Sequence, residues 1–455
     1  MSEHLNAALA YARQHEADFL AGLRELISFA SISTSQEHKG EIEKAAQWVA
    51  RRLEWLGMQN VAVMPTDGHP VVYGEWLGAP GKPTMLIYGH YDVQPVDPLD
   101  LWRTDPFTAT LEGENLYARG ASDMKGQVMA CLNAVEAVIR TGSLPVNLKF
   151  LIEGEEEIGS PSLGKWIEAN KDLLQADFCL NPDAGMLSKE QPTITYGLRG
   201  MALYELHVSG PDHDLHSGMY GGAVHNPAKA LVELLAGMHD ENNHITLPGF
   251  YDSVRPLEDE ERASLAKLPV SNESVMAQTG VPGLWGEAGY TTVERTGGRP
   301  TLEINGMVSG FIGEGAKTII PSWAMAKISS RMVPDQDPLE IYEQLKRYLE
   351  ANAPESIRWE LKYFGGSRAS ISDVKTPWVK ALSQAMETVW GKAPLFKREG
   401  GSVPVVGLMQ SSLGMESVLT GFGLPDDNLH APNEKTHLPT WHKGTEALIR
   451  FLFNL

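Results

Sequence analysis

The apolar positions in the first 200 residues alternate between a helical and a strand-like spacing. From Glu41 to Leu56 they recur every three or four residues, and Gly57 follows where a helix would end. A second helical stretch covers Lys125 to Arg140. Short apolar runs of strand length begin at Val61, Val71, Met85, Leu148 and Asp177. Strands that alternate with helices are typical of an α/β domain with a mostly parallel sheet.

The pattern changes near Arg199 and returns to its earlier form from about Pro377. Between these points the sequence predicts strands and two helices, each helix starting with a capping residue followed by proline. The predicted elements are Met201–Gly210, a helix from Asn226-Pro227, Thr318–Val333, a helix from Asp337-Pro338, and Trp359–Phe364. We therefore predict one α/β domain formed by residues 1–198 and 374–455, interrupted by a smaller α+β domain at residues 199–373.

The composition limits the classes of partner and compartment. The chain has 455 residues and a formal net charge of −20, which argues against binding to nucleic acid or to an anionic membrane. It shows no apolar run near the roughly 18 residues of a membrane span, and no apolar core of a signal peptide. Cys131 and Cys179 lie in apolar runs and are expected to be buried, reduced thiols. We expect a soluble, cytoplasmic protein.

Five segments place metal-binding side chains directly after an apolar strand or in a glycine-rich turn. They are His90 and Asp92 in MLIYGHYD, Asp123 in RGASDMK, the carboxylates of EGEEEIGS at 153–160, Asp183 in NPDAG, and His430 in DNLHAPNEK. Each segment alone has an ordinary alternative: a capped strand end, a helix N-cap, a solvated acidic loop or a turn. Together they match the mixed nitrogen and oxygen ligands of a zinc or manganese site. Five ligands exceed the needs of one tetrahedral ion, whereas two ions bridged by one carboxylate would use all five.

At these residues the sequence resembles the metallopeptidase family of carnosine dipeptidase, aminoacylase, succinyl-diaminopimelate desuccinylase and glutamate carboxypeptidase. The resemblance spans almost the whole chain and is strongest to the cytosolic nonspecific dipeptidase and carnosinase branch. The motifs that carry it are GHYDVQP, RGASDMKGQ, EGEEEIGS, NPDAG, DLHSGMYGG, GAKTIIP, SRMVP, EGGSVPV and HAPNEK. It implies that the inserted domain serves as a lid and dimerisation domain.

The resemblance also implies a role for each ligand-type residue. The two metal ions would share Asp123 as a bridge, one held further by His90 and Asp183, the other by Glu157 and His430. Glu156 would be the general base that takes a proton from water and passes it to the leaving amine. Asp92 would orient His90. An alignment shifted by one residue would instead make Glu155 the base.

Further residues are implied to contact the substrate. His216, supplied by the partner subunit of a homodimer, would stabilise the carbonyl oxygen. Arg331 would pair with the substrate carboxylate through its planar fork. Gly401 and Ser402 would lie beside the same carboxylate, and Thr318 near the substrate.

We predict a dipeptidase that uses two divalent metal ions per subunit, with zinc as the first candidate and manganese or cobalt as alternatives. Asp at position 183 supports this reading, because the resemblance associates Asp there with dipeptidases and aminopeptidases and Glu with carboxypeptidases and deacylases. The alternatives are an N-acyl amino acid deacylase of the same fold and, more remotely, a non-catalytic binding protein.

Overall fold

The computed structural model describes residues 2–455 and divides the chain into two compact units. Unit 1 comprises Met1–Tyr196, Ser372–Lys397 and Val403–Leu455, and unit 2 comprises Gly197–Ile371 and Arg398–Ser402. The boundaries fall at 196/197 and 371/372, where the sequence predicts 198/199 and 373/374. The short segment 398–402 also belongs to unit 2, although the sequence pattern places it with the first domain.

The secondary-structure elements are numbered along the chain. The strands are β1 (Gln59–Met64), β2 (Val71–Trp76), β3 (Thr84–His90), β4 (Thr110–Glu112), β5 (Asn115–Tyr117), β6 (Asn147–Glu153), β7 (Phe178–Asn181), β8 (Thr193–Leu198), β9 (Gly200–Ser209), β10 (Leu215–His216), β11 (Thr301–Ser309), β12 (Ile319–Ile320), β13 (Trp323–Met332), β14 (Arg358–Ser367), β15 (Ser370–Ile371), β16 (Leu395–Glu399), β17 (Ser417–Leu419) and β18 (Lys435–His437). The helices are α1 (Ser2–Gln14), α2 (Glu16–Ile27), α3 (Lys39–Trp55), α4 (Lys125–Thr141), α5 (Leu163–Ala169), α6 (Lys171–Leu174), α7 (Ser217–Tyr220), α8 (Pro227–Ala236), α9 (Asp259–Leu265), α10 (Asn272–Thr279), α11 (Thr292–Gly297), α12 (Pro338–Asn352), α13 (Pro377–Trp390), α14 (Pro404–Leu413) and α15 (Leu438–Asn454).

Unit 1 is built on a mixed sheet with strand order β1-β2-β6-β3-β7-β17-β8. The four central strands β6, β3, β7 and β17 are parallel, whereas β1, β2 and β8 pair antiparallel. The predicted α/β class is confirmed, and the parallel arrangement is confined to the centre of the sheet. The connection from β1 to β2 covers only residues 65–70, which is too short for a parallel crossover, so this pair is antiparallel.

The core of unit 1 lies between this sheet and its helices. Helix α4 is buried along most of its length, and Leu132 and Val135 pack in one cluster with Phe150 of β6 and Leu448 of α15. Both cysteines are buried and free, as expected. Helix α3 is also present where the sequence predicts a helix. Gly57 behind it adopts a positive φ of 84°, as is common for a glycine that ends a helix. The described residues contain no helix that is long and apolar enough to cross a membrane.

Unit 2 contains a four-stranded antiparallel sheet with the order β11-β13-β9-β14. Helices α8 and α12 contribute Leu234 and Leu345 to a separate core that includes Leu206 and Ile328 of the sheet. Both helices begin at the predicted Asn226-Pro227 and Asp337-Pro338 steps, where the Asn and Asp side chains accept backbone hydrogen bonds. This is the predicted α+β arrangement.

One predicted strand of unit 2 is wrong in detail. The sequence predicts a single strand over Thr318–Val333, but the structure contains β12 and β13 with Pro321 and Ser322 between them. Pro321 has no backbone N–H for a ladder, so the strand is interrupted there. Strand β12 instead pairs with β10, and His216 lies opposite Ile319.

Candidate metal centre

The ligand-type residues of unit 1 follow the carboxyl ends of neighbouring parallel strands. His90 ends β3 and lies opposite Glu153 at the end of β6, and Asn181 ends the adjacent strand β7. Because parallel strands end at the same edge of a sheet, the loops that follow them converge. These loops carry Asp92, the pair Glu156 and Glu157, and Asp183.

His90 is fully buried at the centre of this cluster. Its Nδ1 atom lies 3.0 Å from the backbone oxygen of Asp92 and 3.4 Å from Asp92 Oδ1. Its Nε2 atom lies 3.3 Å from Asp123 Oδ1 and 3.9 Å from a carboxylate oxygen of both Glu156 and Asp183. This buried Nε2 atom makes no hydrogen bond to any residue that the structure describes, although most buried polar atoms have a partner.

Asp92 fixes the acidic turn that follows β6. Its Oδ1 atom accepts a hydrogen bond from the Glu156 backbone N–H at 3.2 Å, and its Oδ2 atom accepts one from Glu157 at 3.1 Å. Glu155 has different contacts, because its carboxylate accepts hydrogen bonds from the backbone of His69 and Ser162 at 2.8 and 3.0 Å. The Glu155 carboxylate therefore links two loops through their backbone, whereas the Glu156 carboxylate lies in the cluster beside His90.

The second half of the cluster joins His430 to the carboxylates. His430 Nε2 lies 2.9 Å from Asp123 Oδ2 and 3.3 Å from Glu157 Oε2. Gln94 also donates a hydrogen bond of 2.8 Å to Glu157 Oε2. His430 is exposed, in contrast to His90. Glu157 therefore lies between Gln94, on the loop after β3, and His430, near the C-terminus.

Two groups of three residues have ligand atoms close enough to share one ion. They are His90, Asp123 and Glu157, and His90, Glu156 and Asp183, with the ligand atoms of each group within 4.8 Å of one another. Five carboxylates lie around two imidazoles, so the cluster holds an excess of negative charge. The absence of a hydrogen bond at His90 Nε2 among the described residues and this excess charge both fit a divalent cation. The residues present thus suit the metal that the sequence predicts.

Burial and crowding move the pKa values of the cluster in consistent directions. Burial raises the pKa of Glu156 to about 7 and that of Glu157 to about 8, and the nearby Asp123 carboxylate adds to both shifts. The hydrogen bond with Asp123 raises the pKa of His430 to about 9. Burial alone would raise the pKa of Asp123, but the hydrogen bond with His430 and the two neighbouring imidazoles of His90 and His430 outweigh burial and lower it. Positive charge therefore stabilises the cluster.

Several residues that support the cluster are not among those that the sequence predicts to be functional. Gln94 donates a hydrogen bond to Glu157. Glu153 is buried, and its Oε1 atom accepts hydrogen bonds from Tyr88 at 2.7 Å and Ser160 at 2.8 Å. Glu434 bonds to the turn that carries Asp123. Gln94 and Glu434 lie inside the motifs GHYDVQP and HAPNEK, so those motifs contained the available signal.

Unit 2 carries the predicted substrate residues in two places. In the first, His216 is exposed at the end of β10, and its Nδ1 atom accepts a 3.0 Å hydrogen bond from the Gly218 N–H. Thr318 is also exposed, and its backbone oxygen accepts a 3.1 Å hydrogen bond from Ser217 N–H. His216 and Thr318 thus belong to two adjoining segments of unit 2.

The second place is where β13 contacts the segment 398–402. Arg331 is half-buried and donates a 2.9 Å hydrogen bond from Nη1 to Ser402 Oγ. Ser402 in turn donates to the backbone oxygen of Arg199 at 2.5 Å, and Arg199 Nε donates to the Gly400 oxygen at 3.2 Å. Gly401 is exposed beside them. The structure brings together Arg331, Ser402 and Gly401, which the sequence predicts to be neighbours of one carboxylate.

The sequence is similar along nearly its whole length to two curated dipeptidases. It is 32% identical over 456 residues to Cys-Gly metallodipeptidase DUG1 of Candida albicans, covering 95% of this chain and 94% of that protein. It is also 32% identical over 470 residues to Beta-Ala-His dipeptidase of Homo sapiens, covering 99% of this chain and 92% of the relative.

The fold of this chain is also similar to solved structures of peptidases. The crystal structure of human carnosine dipeptidase 1 matches with a TM-score of 0.79 at 32% identity, over 99% of this chain and 98% of that one. The M20 family metallo-carboxypeptidase Sso-CP2 from Sulfolobus solfataricus matches with a TM-score of 0.84 at 36% identity, over 95% and 98%. The profile of peptidase family M20/M25/M40 matches residues 86–454. The resemblance predicted from the motifs is confirmed, and the chain belongs to peptidase family M20/M25/M40.

Proposed function

We propose that this protein is a metal-dependent dipeptidase that hydrolyses the amide bond of dipeptides. The observation that carries the proposal is the buried Nε2 atom of His90, which makes no hydrogen bond although carboxylate oxygens of Asp123, Glu156 and Asp183 lie within 4 Å. Such an arrangement suits a cation between the imidazole and the carboxylates. The relatives named dipeptidases support peptides as the substrate class.

In this proposal Asp123, His90 and Asp183 would hold one divalent ion, and Asp123, Glu157 and His430 would hold a second. The position of Asp123 supports the bridge, because one of its oxygens faces His90 and the other faces His430. Zinc is our first candidate for both sites, and manganese and cobalt are the alternatives. When bound, the ions supply a water of lowered pKa and polarise the scissile carbonyl.

Glu156 is the proposed general base. Among the described residues, no group donates a hydrogen bond to its carboxylate, whereas the carboxylate of Glu155 is held by two backbone N–H groups. Glu156 is therefore free to accept a proton from the attacking water and to deliver it to the leaving amine. Asp92 holds the backbone of this residue and lies against His90, so it positions both.

Arg331, Ser402 and Gly401 form the proposed site for the substrate carboxylate. The Ser402 hydroxyl fixes one end of the Arg331 guanidinium, and no described carboxylate forms an ion pair with this arginine. A planar guanidinium with open donors suits a carboxylate bound through two hydrogen bonds. Thr318 is proposed to lie near the substrate, with support only from the sequence motif.

We further propose a homodimer in which unit 2 acts as the lid and dimerisation domain. His216 is then the donor to the carbonyl oxygen in the active site of the partner subunit. Its exposure in unit 2 supports this role, because its side chain is accessible to a second chain. The two free, buried cysteines agree with a reducing compartment, and we propose the cytoplasm.

A second candidate is a carboxypeptidase that removes single residues from longer peptides. The similarity to the structure of the metallo-carboxypeptidase Sso-CP2 favours it. Both activities use the same metal centre and the same carboxylate site. They differ in the length of peptide that the site accepts on the amino side of the scissile bond. The deacylase alternative shares these residues as well but requires an acyl cap in place of a free amine.

A matched set of four substrates separates these functions. The set is a dipeptide, its C-terminal amide, its N-acetyl form and a tripeptide with the same last two residues. The dipeptidase proposal predicts that the metal-loaded protein hydrolyses the dipeptide fastest and the amide poorly. Faster cleavage of the tripeptide would favour the carboxypeptidase, and faster cleavage of the N-acetyl form would favour the deacylase. Cleavage of none of them would refute the proposal.

A further inference from the structure

The turn that carries Asp123 is fixed by a segment near the C-terminus of the chain. Strand β18 pairs antiparallel with β5, and Lys435 lies opposite Tyr117. The Ala118 N–H then donates a 3.0 Å hydrogen bond to the backbone oxygen of Glu434. This pairing places residue 434 beside the loop 118–123, which leads from β5 to α4.

The Glu434 side chain accepts four hydrogen bonds from this loop. Its Oε1 atom accepts from the backbone N–H groups of Ser122 and Asp123 at 2.9 and 3.0 Å. Its Oε2 atom accepts from the Gly120 N–H at 3.0 Å and from Arg119 Nη1 at 2.8 Å. Glu434 is 0% exposed and Arg119 is 1% exposed. The carboxylate therefore holds the backbone of the turn from inside the protein.

The chemistry of these contacts requires an ionised carboxylate. All four partners are donors, two to each oxygen, so the group has no place for an acidic proton or an amide nitrogen. Arg119 supplies the counter-charge, and its Nη2 atom donates to the Pro95 oxygen at 2.9 Å. A buried ion pair with every acceptor position used fixes the geometry of its surroundings.

Asp427 adds a second link between the same two segments. Its Oδ2 atom accepts a 2.9 Å hydrogen bond from the Ser122 hydroxyl, and its Oδ1 atom accepts one of 3.0 Å from Lys435 Nζ. The turn at 119–123 and the segment 427–435 are thus tied at several points. Asp123 and His430 lie on these two segments, and their side chains meet at 2.9 Å.

We propose that Glu434 is a positioning residue of the metal centre: through the backbone of the 119–123 turn it sets the place of the Asp123 carboxylate relative to His430. The inference rests on the proposed roles of Asp123 and His430 as ligands. Both oxygens of Glu434 already accept from these four donors, so Glu434 is not itself proposed as a ligand. Residues that orient metal ligands typically contribute about 10- to 100-fold to metal affinity.

The test uses Glu434→Gln, because glutamine keeps the shape of the side chain. Its amide nitrogen would face either the Ser122 and Asp123 N–H groups or Gly120 and Arg119, and it can accept from neither pair. Apo protein would be titrated with Co²⁺ and Zn²⁺ in competition with a chromophoric chelator. We expect metal affinity to fall about 10- to 100-fold and the visible absorption of the Co²⁺ form to change.

Glu136→Gln is the matched control. Glu136 is also a buried carboxylate of unit 1, paired with Arg52 and hydrogen-bonded to Tyr11 at 3.0 Å. It lies eleven residues beyond Lys125 on α4, which is about 16 Å along the helix. Its substitution should lower thermal stability but leave metal affinity and the Co²⁺ spectrum unchanged.

Arg119→Lys is a milder second variant that decides the question if Glu434→Gln does not fold. Lysine keeps the charge but cannot contact both Glu434 and Pro95, so we expect a smaller loss of metal affinity in the same direction. Unchanged affinity in the folded variants, or an equal loss in Glu136→Gln, would overturn the proposal. A wild-type protein that binds the ions but cleaves no dipeptide would refute the proposed function and leave this inference intact.

Discussion

His430 Nε2 lies 2.9 Å from Asp123 Oδ2, although the two residues are 307 positions apart in the chain. The antiparallel pairing of β5 with β18 brings their segments together, and Glu434 fixes the turn on the Asp123 side. The proposed metal centre therefore forms only when the C-terminal segment has paired with β5 in the three-stranded sheet β18-β5-β4. Folding and metal binding are coupled in such a site.

Removal of metal should destabilise the folded protein. Without cations the carboxylates of Asp123, Glu156, Glu157 and Asp183 repel one another around His90 and His430. Each site with free metal at 100 times its Kd adds about 2.7 kcal/mol to the free energy of unfolding. Thermal denaturation of chelator-treated protein, before and after addition of Zn²⁺, should show a rise in Tm with metal. An identical Tm in both states would argue against the site.

Arg331 should determine the need for a free substrate carboxylate. Substitution by Met leaves that carboxylate unpaired, at a cost of about 2–5 kcal/mol. This corresponds to about a 30- to several-thousand-fold loss in kcat/KM for dipeptides. Arg331→Lys should restore activity only in part, because an ammonium lacks the planar fork.

The C-terminal amide of the same dipeptide is the control substrate for this prediction. We expect the wild-type protein to hydrolyse this amide slowly already, and its rate should change little in either Arg331 variant. If kcat/KM for the amide and for the free acid falls by the same factor, Arg331 acts on the stability or shape of unit 2 and not on the carboxylate.

Two inactive variants should complement each other if His216 acts in the partner's site. Homodimers of Glu156→Gln and of His216→Ala lack one required group in every site. After subunit exchange, a mixed dimer contains one site with both groups intact, so about a quarter of wild-type activity should return. Native mass spectrometry would verify the exchange. No recovery in a sample with verified mixed dimers would place His216 in its own subunit's site, or in none.

The two thiols should be unreactive in the folded protein. Burial raises the pKa of Cys131 and of Cys179 to about 12. In the unfolded chain a thiol has a pKa of about 8.5, so burial contributes stability that is fully present below that pH. It is lost progressively as the pH rises from about 8.5 toward 12. A thiol reagent should label both cysteines in denaturant and neither in the native protein at neutral pH, and rapid native labelling would contradict this.

Much of unit 1 is predictable because its strands and helices differ in apolar spacing. The runs that end at His90, Glu153 and Asn181 are visible in the sequence. Because parallel strands end at the same edge of a sheet, the loops that follow these runs can be predicted to lie close together. The roles of these residues came from the resemblance, since spacing alone left a capped strand end or an acidic loop as alternatives. Placement of Glu156, and not Glu155, at the cluster depends on backbone hydrogen bonds that no sequence pattern displays.

Other features lie beyond sequence reasoning for physical reasons. The direction of the flanking strands depends on pairing across the sheet, which apolar spacing does not encode. The break at Pro321 is hidden by the apolar residues on both sides, which favour one continuous strand, although proline has no backbone N–H for the ladder. Glu434 looks like a solvated charge in the motif HAPNEK, and only the fold shows that it lies inside against four donors.

The most direct test of the account measures dipeptide turnover and metal content on the same samples of wild-type protein and Glu156→Gln. A general base typically contributes about 10²- to 10⁴-fold to the rate, so kcat should fall by that factor. Metal content should stay at about two ions per chain in both, because Glu156 is proposed as a base and not as a ligand. Turnover of Glu156→Gln within a few-fold of wild type, at equal metal content, would contradict the account.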